Sequence, residues 1–356
     1  MCVFILARHW RVPWSAALLA SMALALCSPW WSASGVLYHD SLAVALILIG
    51  ATVWQCLATS QGIGAIICPI VAGFLLASSV VTTYLVVPIV LLICGFMLAG
   101  RPPRGDIMLF LLMFLPILAV LPITNILAFG SPLATGYSAG GFDKNYPSPF
   151  DLFNAWEKVG FYLWHFEYGL LWLFPVFFLG VAGLARGRSL SRPARLVLVT
   201  LAAAHFLFII TMKHHGSVGW GMGRFFMPLY PILAFGLPAF WHLEGWKGHM
   251  ARALLFAALL YSAVFAAAAA AYGLQGVMEP GVWTLRQRLI ANHYQFYQGL
   301  FWVALIAGVL GEVLYHVFCV TKYPISLTAA PQSRRGMPQR SKVISAVASR
   351  RRRRKN

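Results

Sequence analysis

Charge is scarce in this sequence. Asp, Glu, Lys and Arg make up 10% of its 356 residues, and only nine of them are acidic. A soluble globular chain carries about 25% charged residues. Here 60% of the chain is hydrophobic, more apolar surface than one core buries, which excludes an ordinary water-soluble domain. Alternating segments of about ten residues, the mark of outer-membrane strands, are also lacking, which excludes a membrane barrel. Cysteine is sparse. Cys2, Cys27, Cys56, Cys68, Cys94 and Cys319 lie in or beside apolar runs without CxxC or zinc spacing, so they read as small buried hydrophobes and say nothing of redox compartment. There is no phosphate-binding glycine loop, no GxSxG elbow and no dinucleotide fingerprint. The class that remains is all-α: a polytopic integral membrane helix bundle.

What is present in abundance is long apolar runs, with a mean hydropathy of +0.76. A span needs about 20 such residues. Runs at 14–33, 41–58, 107–128, 168–185, 196–212, 225–241, 253–272 and 299–320 meet that length. Segment 64–99 is too long for one span, and Pro69, Gly73, Ser78, Ser79, Thr82, Thr83 and Pro88 interrupt it. It predicts two short helices with a turn near 79–84, and hence about ten transmembrane helices with both termini cytoplasmic. The run from Trp14 to Ala33 follows Arg8 and Arg11 and is too long for a cleavable signal core, so it reads as a signal anchor.

Basic residues test the topology, because Lys and Arg concentrate in cytoplasmic segments. Ten spans place 21 of the 27 inside and leave Lys144, Lys158, Lys213, Arg224, Arg286 and Arg288 outside. A single span at 64–99 would put Arg101 and Arg104, or Arg8 and Arg11, on the wrong side. The net charge of +18 therefore reads as topological, not as a nucleic-acid footprint. From Lys322 onward the chain holds eleven basic residues, ending in Arg350–Lys355. The division expected is a membrane domain at 1–320 and a basic, disordered cytoplasmic tail at 321–356 that meets anionic lipid.

The largest outer loop spans 129–167. Within it, Ser148 as cap, Pro149 in the first turn and Asp151 three residues after the cap predict a helix start. Phe153, Trp156, Gly160 and Leu163 would share one face, with Asn154, Glu157 and Lys158 elsewhere. That pattern predicts an interfacial helix along the outer leaflet, or an ordinary aromatic belt.

Three stretches carry a likeness. Asn125-Ile-Leu-Ala-Phe-Gly-Ser-Pro-Leu-Ala-Thr-Gly-Tyr137 is similar to an "N-x-x-x-FGSPLxTGY" signature following a membrane helix. Tyr168-Gly-Leu-Leu-Trp-Leu-Phe-Pro-Val176 is similar to a "GLLxxxPV" helix opening. Gly219-Trp-Gly-Met-Gly-Arg-Phe-Phe-Met-Pro-Leu-Tyr-Pro-Ile232 is similar to "GxxxGxRFxxPxxPxL". In order and spacing, over roughly residues 20–240, they resemble the bacterial GT-C membrane glycosyltransferases, the group of protein O-mannosyltransferases and lipid A aminoarabinose transferases.

The resemblance implies an enzyme of the bacterial cytoplasmic (inner) membrane, active on its outer face. It would transfer a sugar, with inversion, from a polyprenyl-phosphate donor to an envelope lipid, glycan or protein. No cofactor and no metal are implied. Such a donor needs a cation for its phosphate and an acidic group for the acceptor's proton. Arg224, just after Gly219, Gly221 and Gly223, is the expected phosphate ligand, with Lys213 beside it; snorkelling to headgroups is the plainer role for both. Asp40 matches by position an acidic residue that the family turns to its cavity, and it equally suits the N-cap of the second span. The cavity would be bounded by 34–40, 130–146 and 213–224 and lined by His39, Tyr137, Asp143, His214 and His215.

One departure stands out. The family opens with a further helix and a long outer loop bearing its principal catalytic aspartate, and here no acidic residue precedes Asp40. The expectation favoured is an N-terminally truncated sequence; the others are a base supplied elsewhere or a chain without activity, such as a scaffold for a related enzyme. A transporter or flippase of lipid-linked saccharide is the reading from another class. The interrupted 64–99 segment has no twin in the second half, which counts against it. Elsewhere, His39, His165, His214 and His215 lack metal-ligand spacing. Glu312 and His316, four apart, suit a structural pair better than a proton relay. Ala266–Ala271 offers a small-residue surface for helix packing.

Overall fold

The computed structural model describes residues 1–28, 39–57, 61–132, 134, 154–164, 170–187, 189–212, 226–241, 243–272 and 293–315. Every regular element among them is helical: α1 (Cys2–His9), α2 (Trp14–Leu26), α3 (His39–Leu57), α4 (Ile63–Thr82), α5 (Val87–Ala99), α6 (Arg104–Phe129), α7 (Ala155–Trp164), α8 (Leu170–Leu173), α9 (Pro175–Arg186), α10 (Arg192–Thr211), α11 (Leu229–Ala234), α12 (Pro238–Trp241), α13 (Gly245–Tyr272) and α14 (His293–Tyr315), with a 3-10 turn at Tyr84–Val86. Residues 1–312 form one compact unit; of the second, 313–356, only the end of α14 is described.

Three of these helices are long and apolar enough to cross a membrane: α4, α6 and α10. The described residues are thus helical, with three segments suited by length and composition to crossing a membrane. α6 leaves Met108, Leu112, Leu115 and Leu127 exposed while burying Phe110 and Phe114. Such an apolar surface needs lipid around it, because water would oppose its exposure.

Proline decides where several elements break. The 64–99 segment does divide in two, but Pro69 lies inside a continuous 20-residue α4. The break falls at Thr83, which is extended (φ −156, ψ 128). Before it, the hydroxyls of Ser79 and Thr82 donate to the carbonyls of Leu76 (2.6 Å) and Ser78 (2.8 Å), so polar side chains persist in the helix without unmet donors. α4 packs against both α3 and α6, whereas α5 makes its larger contact with α10. Two other expected spans are interrupted. At 168–185 the helix breaks at Phe174 (φ −140, ψ 67), because the residue before Pro175 is driven out of the helical region. At 225–241 a turn at Phe235–Leu237 precedes Pro238.

Backbones come close where α9 meets α11 and α12. Gly180 lies against Leu233, Gly183 against Gly236, and Gly187 against Ala239. Positions rise together on both sides, so the two segments run parallel. A Cβ on Gly183 would fall inside the carbonyl oxygen of Gly236, and one on Gly236 inside that of Gly180. Backbones this close exclude side chains. α10 lies against both α9 and α11, its start capped by Ser191, whose Oγ accepts from the Ala194 amide at 3.4 Å. Arg195 bonds back to the Gly187 carbonyl at that same end.

Candidate functional site

At its far end α10 stops at Met212, whose backbone is extended (φ −73, ψ 143). α7 packs there. Its ten residues include four aromatics and two adjacent charges, Glu157 and Lys158, and the face it turns inward is not the one a simple amphipathic reading selects. Trp156 and Trp164 are 81% and 54% exposed, while Lys158 is 1% exposed and Tyr162 equally buried. Nζ of Lys158 donates to the Met212 carbonyl at 2.7 Å. One turn later the Tyr162 ring meets Phe226 edge-on, centroids 5.2 Å apart, and Phe226 stacks on Phe206 of α10 at 6.2 Å. Burial pushes the Tyr162 phenol up to about 12, so it stays protonated.

Met212 and Phe226 are the residues flanking 213–225. One face of a ten-residue helix therefore holds both stems of the segment that carries Lys213, His214, His215 and Arg224. Those four residues themselves lie outside the described residues, as do Tyr137, Asp143 and His165. So do Ser148 and Asp151, the expected helix start; the described helix begins at Ala155.

Asp40 sits in the first turn of α3, one residue inside the helix and not at its cap. It is 3% exposed, and Nε2 of the half-exposed His39 lies 3.5 Å from its Oδ1. A carboxylate at this end of a helix faces the positive pole of the peptide dipoles. Asp40 is thus a buried carboxylate beside a half-exposed imidazole.

Two groups escaped the sequence reading. Lys158 gave no signal in sequence, because a lysine on a short amphipathic helix normally faces water. Glu312 was paired with His316, which lies outside the described residues; its partners are Arg252 and His249 of α13. Among the described residues no cluster of three His, Cys, Asp or Glu is arranged to hold a metal. Comparison with protein-family models, curated proteins and solved structures finds no match, so residues and geometry carry the functional reading.

Proposed function

We propose that this chain is a glycosyltransferase-like integral membrane protein of about ten spans in a bacterial cytoplasmic membrane, using a polyprenyl-phosphate sugar at its outer face. In the transfer step the acceptor hydroxyl oxygen bonds to the anomeric carbon. The anomeric carbon–oxygen bond breaks, and its electron pair leaves with the polyprenyl phosphate. Asp40 takes the hydroxyl proton, while Arg224 and Lys213 offset the phosphate charge.

The observation that carries this reading is the pair of stems on α7. Lys213 follows Met212 directly and Arg224 precedes Phe226 by two residues. Stems held one turn apart on a single helix support a shared phosphate ligand set from two cations eleven positions apart in sequence. The parallel run of α9 with α11 and α12 supports the topology, which needs those segments to cross in the same direction. The basic tail adds an attraction to anionic inner-leaflet lipid of roughly 1 kcal/mol per nearby Lys or Arg.

The test is binding of polyprenyl phosphate by the full chain in lipid nanodiscs. Arg224→Ala should weaken it about 10- to 100-fold, as expected for losing a charge-assisted bond of about 1.5–3 kcal/mol. Arg224→Lys should recover part of the loss, because a point charge lacks the guanidinium fork. Equal binding by wild type and Arg224→Ala ends the phosphate role. Transport of the lipid across the bilayer, with no sugar transferred to any hydroxyl, would favour the flippase reading.

A further inference from the structure

We infer that the outward face of α7 docks into the headgroup–acyl boundary of a zwitterionic leaflet; this rests on the membrane reading above and not on the donor chemistry. At about 3.6 residues per turn, Trp156, Gly160 and Trp164 form one stripe of the helix, and Lys158 and Tyr162 form the stripe opposite. The two stripes differ in burial. Lys158 and Tyr162 are enclosed, whereas both tryptophans are more than half exposed. The indole Nε1 of Trp164 lies 3.4 Å from where a Cβ on Gly160 would stand. That ring therefore lies back along the helix, in the direction helical side chains take, and beside the bare Gly160 it makes a flat aromatic face. An indole has an apolar body and one polar N–H, which suits the level where acyl chains meet headgroups.

The place of α7 in the bundle says what meets that face. α10 has 20 residues, about 30 Å at about 1.5 Å each, which matches the hydrocarbon core of a bilayer. Its end at Met212 thus marks one boundary of the slab. The inward stripe of α7 meets that end at two levels. Nζ of Lys158 donates to the Met212 carbonyl, while the Tyr162 ring meets Phe226, which stacks on Phe206, six residues before Met212 and about 9 Å down the axis. α7 therefore lies beside the last turns of α10, not across its tip, and its opposite face points sideways into the leaflet. The apolar stripe of α10 agrees: Leu196, Val199 and Leu207 are exposed, but Ile210, next in register, is buried at the end where α7 packs. Charge decides the lipid. A helix drawn to anionic lipid shows lysine or arginine on its exposed side. α7 encloses its lysine and exposes Glu157, so burial of indole, not attraction to anionic headgroups, holds it.

The experiment places the full chain, labelled with fluorotryptophan, in phosphatidylcholine nanodiscs. Trp156→Phe and Trp164→Phe assign two of its thirteen tryptophan resonances. Lipid carrying a nitroxide near the top of the acyl chain should broaden both at least severalfold more than a water-soluble gadolinium chelate does. Added phosphatidylglycerol should leave that contrast unchanged; a marked increase overturns the zwitterionic choice. Trp156→Gln with Trp164→Gln should keep the melting temperature, since neither ring fills the core, yet quicken amide exchange in α7 severalfold in nanodiscs. If that variant fails to fold, the two phenylalanine variants still decide. Broadening by gadolinium alone places the face in water and overturns the inference. Broadening by neither agent means that protein covers it, a second copy or another segment of this chain, and overturns it too. The methyl group of Met108, exposed on α6, is the control. A Met108 that the lipid nitroxide does not reach overturns the membrane reading itself, whereas a reached Met108 with unreached tryptophans overturns the anchor alone.

Discussion

Arg252 of α13 holds Glu312 of α14 through three hydrogen bonds: Nε reaches both carboxylate oxygens at 2.9 Å and Nη2 reaches Oε1 at 2.7 Å. Both side chains are buried. Nη1 donates to the Leu243 carbonyl at 2.9 Å, and Nδ1 of the part-exposed His249 lies 2.7 Å from Oε1. Gly308, a turn before Glu312, permits the approach, since a Cβ there would collide with the Ala253 carbonyl. A buried ion pair of this kind locks two helices in register without adding much net stability.

Removing one partner should therefore hurt far more than removing both. Glu312→Ala strands a buried guanidinium and should cost about 3–5 kcal/mol in detergent unfolding, whereas Arg252→Met with Glu312→Leu should lie close to wild type. A double variant as unstable as the single one would contradict this account.

The contact of α9 with α11 and α12 leaves no room for a methyl group. Gly183→Ala should destabilise by about 1–3 kcal/mol through overpacking against the Gly236 carbonyl. Gly95→Ala in α5 is the matched control. Nothing lies within 4 Å of its added Cβ, so it should be neutral or gain up to about 1 kcal/mol of helix propensity. Thermal melts of the two variants side by side decide the matter.

If Asp40 is the proton acceptor, Asp40→Asn should lower turnover about 10²- to 10⁴-fold with donor affinity within a factor of about two. The amide preserves shape and helix position but takes no proton. Loss of donor binding in Asp40→Asn, with turnover per bound donor intact, would move this residue from chemistry to structure.

Topology is open to a direct check. Reporter fusions at Gly141 and Gly187 should report opposite sides of the membrane, the latter cytoplasmic beside Arg186 and Arg195. The same side for both rejects the ten-span scheme and, with it, the outward site.

Much of the architecture follows from sequence alone. Continuous apolar runs with almost no acidic residues predict a helical chain, since only internal hydrogen bonding satisfies a backbone in lipid, and every regular element among the described residues is a helix. The division of 64–99 was legible from its polar centre: the break falls at Thr83, inside the expected turn at 79–84, while Pro69, one of the expected interruptions, sits mid-helix. Broken helices at Phe174 and at 235–237 were legible in principle, because Pro175 and Pro238 disfavour a helical backbone at the preceding residue. The hydropathy pattern, averaged over 20 residues, hid both.

Partnership is what only the tertiary structure decided. Glu312 could be matched in sequence with His316 four residues on, but its charge is met by Arg252, sixty positions away, because Gly308 lets α14 close on α13. Lys158 could be placed on a helix face, yet which face turns inward depends on what α7 packs against. The Met212 carbonyl at the end of α10 and the Phe226 ring present a polar and an aromatic partner one turn apart, so Lys158 and Tyr162 turn inward and two tryptophans face outward. Local periodicity sets which residues share a face; the energy of burying an ammonium, and hence the choice of face, depends on a carbonyl 54 residues further along the chain.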